Sequence, residues 1–77
     1  MTRYFFDLRV GDAFSADDEG AEFDGIAAAR AEVMEAFPAM AAQYIRNDGD
    51  RAEFEMTVRD GAGPVMRASL SFCLTYT

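Results

Sequence analysis

Residues 52–76 read AEFEMTVRDGAGPVMRASLSFCLTY, and this stretch decides the fold. Phe54, Met56 and Val58 alternate with Glu53, Glu55, Thr57 and Arg59. A period of two with one apolar row is the pattern of a strand buried on one face. Asp60-Gly61-Ala62-Gly63 is dense in turn residues, so the chain reverses there as a hairpin. From about Val65 to Tyr76 the alternation resumes. Met66, Ala68, Leu70, Phe72, Leu74 and Tyr76 form an apolar row, opposite Arg67, Ser69, Ser71, Cys73 and Thr75.

Upstream of this hairpin the period changes. Ile26, Ala29, Val33, Phe37, Met40 and Tyr44 recur at three- and four-residue steps, the stripe of an amphipathic helix from about Gly25 to Arg46. Asp24 is the expected N-cap, and Phe23 the apolar residue stapled before it. Pro38 lacks a backbone donor, which predicts a kink or break near Glu35–Phe37. Asn47-Asp48-Gly49 carries the stop, with Asn47 or Gly49 in the left-handed conformation.

At the start of the chain, Tyr4, Phe6 and Leu8 alternate with Arg3, Phe5, Asp7 and Arg9, a first strand. Gly11-Asp12 turns it back into a short second strand near Ala13–Ala16, and Asp17-Asp18-Glu19-Gly20 is a further turn. The sum is one α+β domain over residues 1–77 in the order ββαββ. Its sheet is four-stranded and mostly antiparallel, and one long, Pro-kinked helix packs on one face. The first and fourth strands are the most apolar, so the expected strand order is second, first, fourth, third. One helix covers one face, which leaves the other open and polar.

Arg3-Tyr4-Phe5-Phe6, Asp17-Asp18-Glu19-Gly20, Ala28-Ala29-Arg30-Ala31-Glu32 and Val58-Arg59-Asp60-Gly61-Ala62-Gly63 together resemble a bacterial family of small domains of unknown function. Its members open on an "RYFF" strand and carry a "DxEG" turn. The resemblance implies a compact domain and no activity. It also marks departures: Asp7 stands where such sequences often have histidine, and Gly63 runs straight into Pro64.

The 77 residues suffice for one domain only. Hydrophobic residues make up 51% of the chain, enough for a packed core without staples. A lone cysteine, Cys73, forms no intrachain disulfide, which fits a reducing, cytoplasmic setting. No secretory leader and no apolar run long enough for a membrane span is visible. The net charge of −7 disfavours general binding to phosphate backbones.

Catalytic groups are scarce. There is no histidine to serve as a base near neutral pH, and Cys73 has no histidine partner. Zinc needs several Cys or His ligands, and the acids between Asp12 and Asp24 fail the spacing of a calcium loop. Asp17 and Asp18 are expected in an exposed turn, where nothing raises a carboxyl pKa. Neither an enzyme, a metal site nor a cofactor is expected.

The remaining candidate is the open sheet face, where alternation gathers Arg3, Phe5, Arg9, Arg59 and Arg67. Guanidinium groups and one ring could pair and stack with single-stranded RNA. Asp7, Glu53 and Glu55 share the face, so cross-strand ion pairs are the simpler reading. The uncharged final strand invites pairing with another chain if it lies at an edge. The expectation is a non-catalytic protein-interaction or self-associating module, a homodimer or a partner of another protein. The alternatives are a nucleic-acid binder and a small-ligand carrier with an internal cavity.

Overall fold

The computed structural model describes residues 1–48 and 50–77. Five strands and one helix follow in the order β1 (Thr2–Val10), β2 (Ala13–Ser15), β3 (Ala21–Phe23), α1 (Ile26–Asp48), β4 (Arg51–Asp60) and β5 (Gly63–Cys73). All strand pairs are antiparallel. The α+β class and the helix between strand pairs are as the periodicity predicts, with one short strand added.

That strand, β3, pairs with the first half of β1, Thr2 to Tyr4, while β2 pairs with the last part, Leu8 to Val10. Three residues are too few for a period to register. Phe23 is therefore a strand residue. Its ring meets that of Phe6 edge-on at 5.8 Å and that of Tyr4 at 6.3 Å. Asp24 is not the cap: Ala29 N donates to the carbonyl of Gly25, which stands before the helix at φ 96°.

The strand order is β2–β1–β4–β5, which corrects the expected one. The final strand lies at the edge and β4 is interior. The helix covers the row Phe54, Met56 and Val58 of β4, and Arg59 of β4 reaches the buried Asp7 of β1. Glu55 on β4 stands opposite Arg9 of β1 and lies 3.9 Å from Arg67 of β5. An interior β5 would have lost this acid between two bases.

The core lies between α1 and the centre of the sheet. Ala29, Val33, Phe37 and Ala41 of α1 are buried with Tyr4 of β1 and Phe54, Met56 and Val58 of β4. Alanine at 29 and 41 lets the helix lie close to the sheet. The outer ends of the expected stripe behave differently: Ile26 and Tyr44 are exposed. Tyr44 still reaches the ring of Phe54 at 6.1 Å.

The helix is continuous through Pro38, so of the expected kink or break there is no break. Pro38 and Met34, one turn back, both lie on the exposed side. Water can serve the carbonyl that proline leaves unbonded. Asn47 lies inside the helix, and Gly49, the other candidate stop, is outside the described residues.

Proline in a helix interior costs about 3 kcal/mol against alanine, and its stiffening of the unfolded chain returns about 1 kcal/mol. Pro38→Ala is thus expected to stabilise the domain by about 2 kcal/mol, a rise in Tm of roughly 10 °C. A thermal melt at or below that of the parent would show that Pro38 costs the helix nothing.

The second hairpin turns at Gly61-Ala62, where Ala62 N donates to Asp60 Oδ1 at 2.8 Å. A register shift follows between Val58 and Arg59, and Pro64 sits beside it on the edge strand, where no ladder donor is needed. β5 ends at Cys73 rather than Tyr76, although Leu74 N still donates to the carbonyl of Asp50 at 2.7 Å.

Candidate functional site

The face of the sheet turned away from α1 carries the expected group Arg3, Phe5, Arg9, Arg59 and Arg67. Parity along β1, β4 and β5 sets all five opposite the rows that pack on α1. They do not form one open basic patch, because each arginine has a neighbour within the chain.

The centre of the arrangement is Asp7, a buried carboxylate. Register sets Arg59 of β4 opposite Phe5 of β1. The guanidinium lies 4.5 Å above the Phe5 ring and its Nε donates to Asp7 Oδ2 at 2.9 Å. Asp17 N donates to Asp7 Oδ1 at 2.9 Å, and an Arg59 Nη donates to the Asp17 carbonyl at 2.7 Å. The turn between β2 and β3 therefore folds back over the face that the sequence reading left open. Asp17 itself is half-buried, not exposed as expected.

The Asp17 carboxylate organises this turn. It accepts from the backbone amides of Phe6 at 3.0 Å, Glu19 at 3.1 Å and Gly20 at 3.0 Å. Those amides, Gly20 and Phe6 foremost, hold its pKa below the usual carboxylate value despite the opposing effect of burial. For Asp7, burial is the largest influence and pushes upward. The bonds from Arg59 and from the Asp17 amide outweigh it, and the pKa falls below 3.8. Two ionised carboxylates held by donors make a structural clasp, with neither proton donor nor base near neutral pH.

The other three arginines lie outside the clasp. Arg3 donates to the Glu19 carbonyl at 2.7 Å and to Glu22 at 3.1 Å, fixing β3 to β1. Arg9 lies 5.1 Å from the centre of the Phe14 ring. Arg67 reaches Glu55 loosely, at 3.9 Å, and both are solvent-accessible. Three of the four arginines thus form cross-strand ion pairs. The Asp17-Asp18-Glu19-Gly20 turn, with aspartates bonding nearby amides and Gly20 at a positive φ, is legible in the sequence; its attachment to Phe6, Asp7 and Arg59 is not.

Among the described residues, two surface hollows stand out. One, of about 500 Å³, crosses the open face between Arg9, Asp12, Glu53, Glu55, Ser69 and Ser71. The other, of about 220 Å³, lies between Leu8, Val10, Phe14 and Tyr44. Among the described residues no group of His, Cys, Asp and Glu is placed to hold a metal ion, and no helix is long and apolar enough to cross a membrane.

The free edge of β5 is the other notable surface. Gly11 N donates to the Glu53 carbonyl at 3.0 Å, and Leu74 N to that of Asp50. Bonded and non-bonded pairs alternate in an antiparallel ladder. Hence Glu53, Glu55 and Thr57 of β4 bond toward β1, while Ala52, Phe54 and Met56 bond toward Phe72, Leu70 and Ala68 of β5. Arg67, Ser69, Ser71 and Cys73 are left with N–H and C=O groups pointing off the sheet. Leu70 is exposed beside them, and so are Leu74 and Tyr76 beyond.

The chain belongs to a domain family described as a domain of unknown function (DUF6894), whose family model matches residues 3–71. The four motifs quoted above, from Arg3 to Gly63, all fall within that span. No curated protein and no solved structure matches the chain.

Proposed function

We propose, for this member of the DUF6894 family, a non-catalytic interaction module that docks protein through the free edge of β5. The observation that carries the reading is the unguarded ladder from Ala68 to Cys73. Edge strands are commonly protected by charge, proline or a bulge. Here Pro64, the register shift and Arg67 all lie in the first half of the strand. The rest offers main-chain donors and acceptors to an added strand, with Leu70 and Phe72 as side-chain contacts on the helix side.

The arginine face supports the nucleic-acid reading less well. Arg3 and Arg59 are bonded within the chain, and one stacking ring, Phe5, lies under a guanidinium. The surface position of both hollows also lends little to a ligand carrier, which would need an enclosed cavity.

Ser71→Pro tests the docking edge. The Ser71 amide points off the sheet, so proline there leaves the β4–β5 ladder intact and blocks strand addition. Tagged parent, Ser71→Pro and Arg9→Ala/Arg67→Ala proteins are compared for the proteins that they retain, copies of the chain included. Retention is expected to be lost with proline alone. Equal retention by parent and Ser71→Pro would sink the reading, and retention of single-stranded RNA lost on arginine removal would replace it.

A further inference from the structure

Resting on that edge as the docking element, we infer that its occupant is a second copy of this chain, paired antiparallel about a two-fold axis at Ser71. Residues whose backbone groups point outward must meet as hydrogen-bonded pairs. An axis at Ser71 satisfies this: Ser71 meets Ser71 of the second copy, and Ser69 meets Cys73. The pairing is isologous, so every contact occurs twice.

Side chains agree with the register. On the helix side, Leu70 meets Phe72 of the second copy, and Phe72 meets Leu70. Leu70, 37% exposed in the single chain, gains an apolar neighbour there. On the other side Ser71 meets Ser71 and Ser69 meets Cys73 of the second copy, all small enough for a close ladder, and the next pair outward is Arg67 with Thr75. The two sheets continue as one, with both helices on the same face.

Charge also selects this segment. Two copies each carry a net −7 and repel one another. Residues 68–77 hold no charge, so backbones can meet there without a like-charge contact. The nearest acid is Glu53, beside Ser71. Glu53 and its copy would stand three strand spacings apart, about 14 Å, which exceeds the screening length of about 8 Å at physiological salt.

The native mass is measured by light scattering across protein concentration, together with Ser71→Cys/Cys73→Ser under mild oxidation. Opposed residues in a bonded pair have Cα atoms about 5.5 Å apart, within disulfide range. The expected result is a two-copy mass and a covalent dimer through Cys at position 71. The parent should not cross-link, because Cys73 and its copy would lie four residues out of register, roughly 14 Å apart. A one-copy mass at all concentrations without cross-linking overturns the self-pairing. So does a dimer that neither cross-links at 71 nor dissociates with Ser71→Pro. In either case, retention of a different protein that Ser71→Pro abolishes would leave the docking edge standing. A parent that shows a one-copy mass and retains nothing that Ser71→Pro loses would remove both.

Discussion

Arg59→Ala is expected to destabilise the domain by about 3 kcal/mol at neutral pH. Removing one partner of a buried ion pair costs about 3–5 kcal/mol, because the other charge is left without compensation. Arg59 is 35% exposed and Asp7 10%, so solvent screening places this pair at the lower end. The loss includes more than the pair. The same guanidinium bonds the Asp17 carbonyl and covers the Phe5 ring, so the turn over the face loosens with it. In an Asp7→Asn background the charge penalty is absent, and Arg59→Ala should cost about 1 kcal/mol. Urea unfolding of the four proteins gives the coupling directly.

The pH dependence separates this account from loss of packing. In the parent, Asp7 and Asp17 have folded pKa values below 3.8. Their contribution is fully present above the unfolded value of about 3.9 and is lost as pH falls through the folded value. Without Arg59, the upward push of burial on Asp7 loses its main opponent. Protonation then relieves a stranded charge, so the deficit of Arg59→Ala should narrow as pH falls from neutral toward about 4. A deficit constant over that range would mean that contact area, not charge, is what Arg59 supplies.

The second large effect is expected at Gly20. Its φ is +69°, and a Cβ there would stand 2.8 Å from the Tyr4 carbonyl oxygen and 2.9 Å from two Phe5 ring atoms. The left-handed conformation costs alanine about 1–2 kcal/mol, and overpacking adds about 1–3 kcal/mol. The ring is held between Gly20 and Arg59, and the carbonyl belongs to an interior strand, so neither yields easily. Gly20→Ala should therefore destabilise by about 3 kcal/mol. Gly11 is the control: at φ +58° it has nothing within 4 Å of its Cβ. Gly11→Ala is expected to cost about 1 kcal/mol. Equal costs at the two positions in chemical unfolding would show that the Asp17–Gly20 turn does not press on β1.

Much of this arrangement was legible from residues alone. Rows such as Phe54, Met56, Val58 and Tyr4, Phe6, Leu8 gave strands and their buried faces, because alternation is a local property of the backbone. The steps Ala29, Val33, Phe37 gave the helix for the same reason. The membership of the arginine face followed from the same parity. Its use did not. Asp7 reads as an outward-facing polar residue on the first strand, and nothing local says that a turn ten residues later will bury it.

The sequence by itself thus determined the long strands, the helix and which of their side chains share a face, since each depends on neighbours within a few residues. Tertiary structure alone decided which strands are adjacent. It made β4 interior and β5 the edge, and it gave β3 half of β1 to pair with. It also brought together Asp7, Asp17 and Arg59, which lie 10 to 52 positions apart in the chain. Periodicity gives a strand two faces but not its neighbours. Those follow from summed pairing, charge and helix coverage across the sheet, which exist only once the chain has closed.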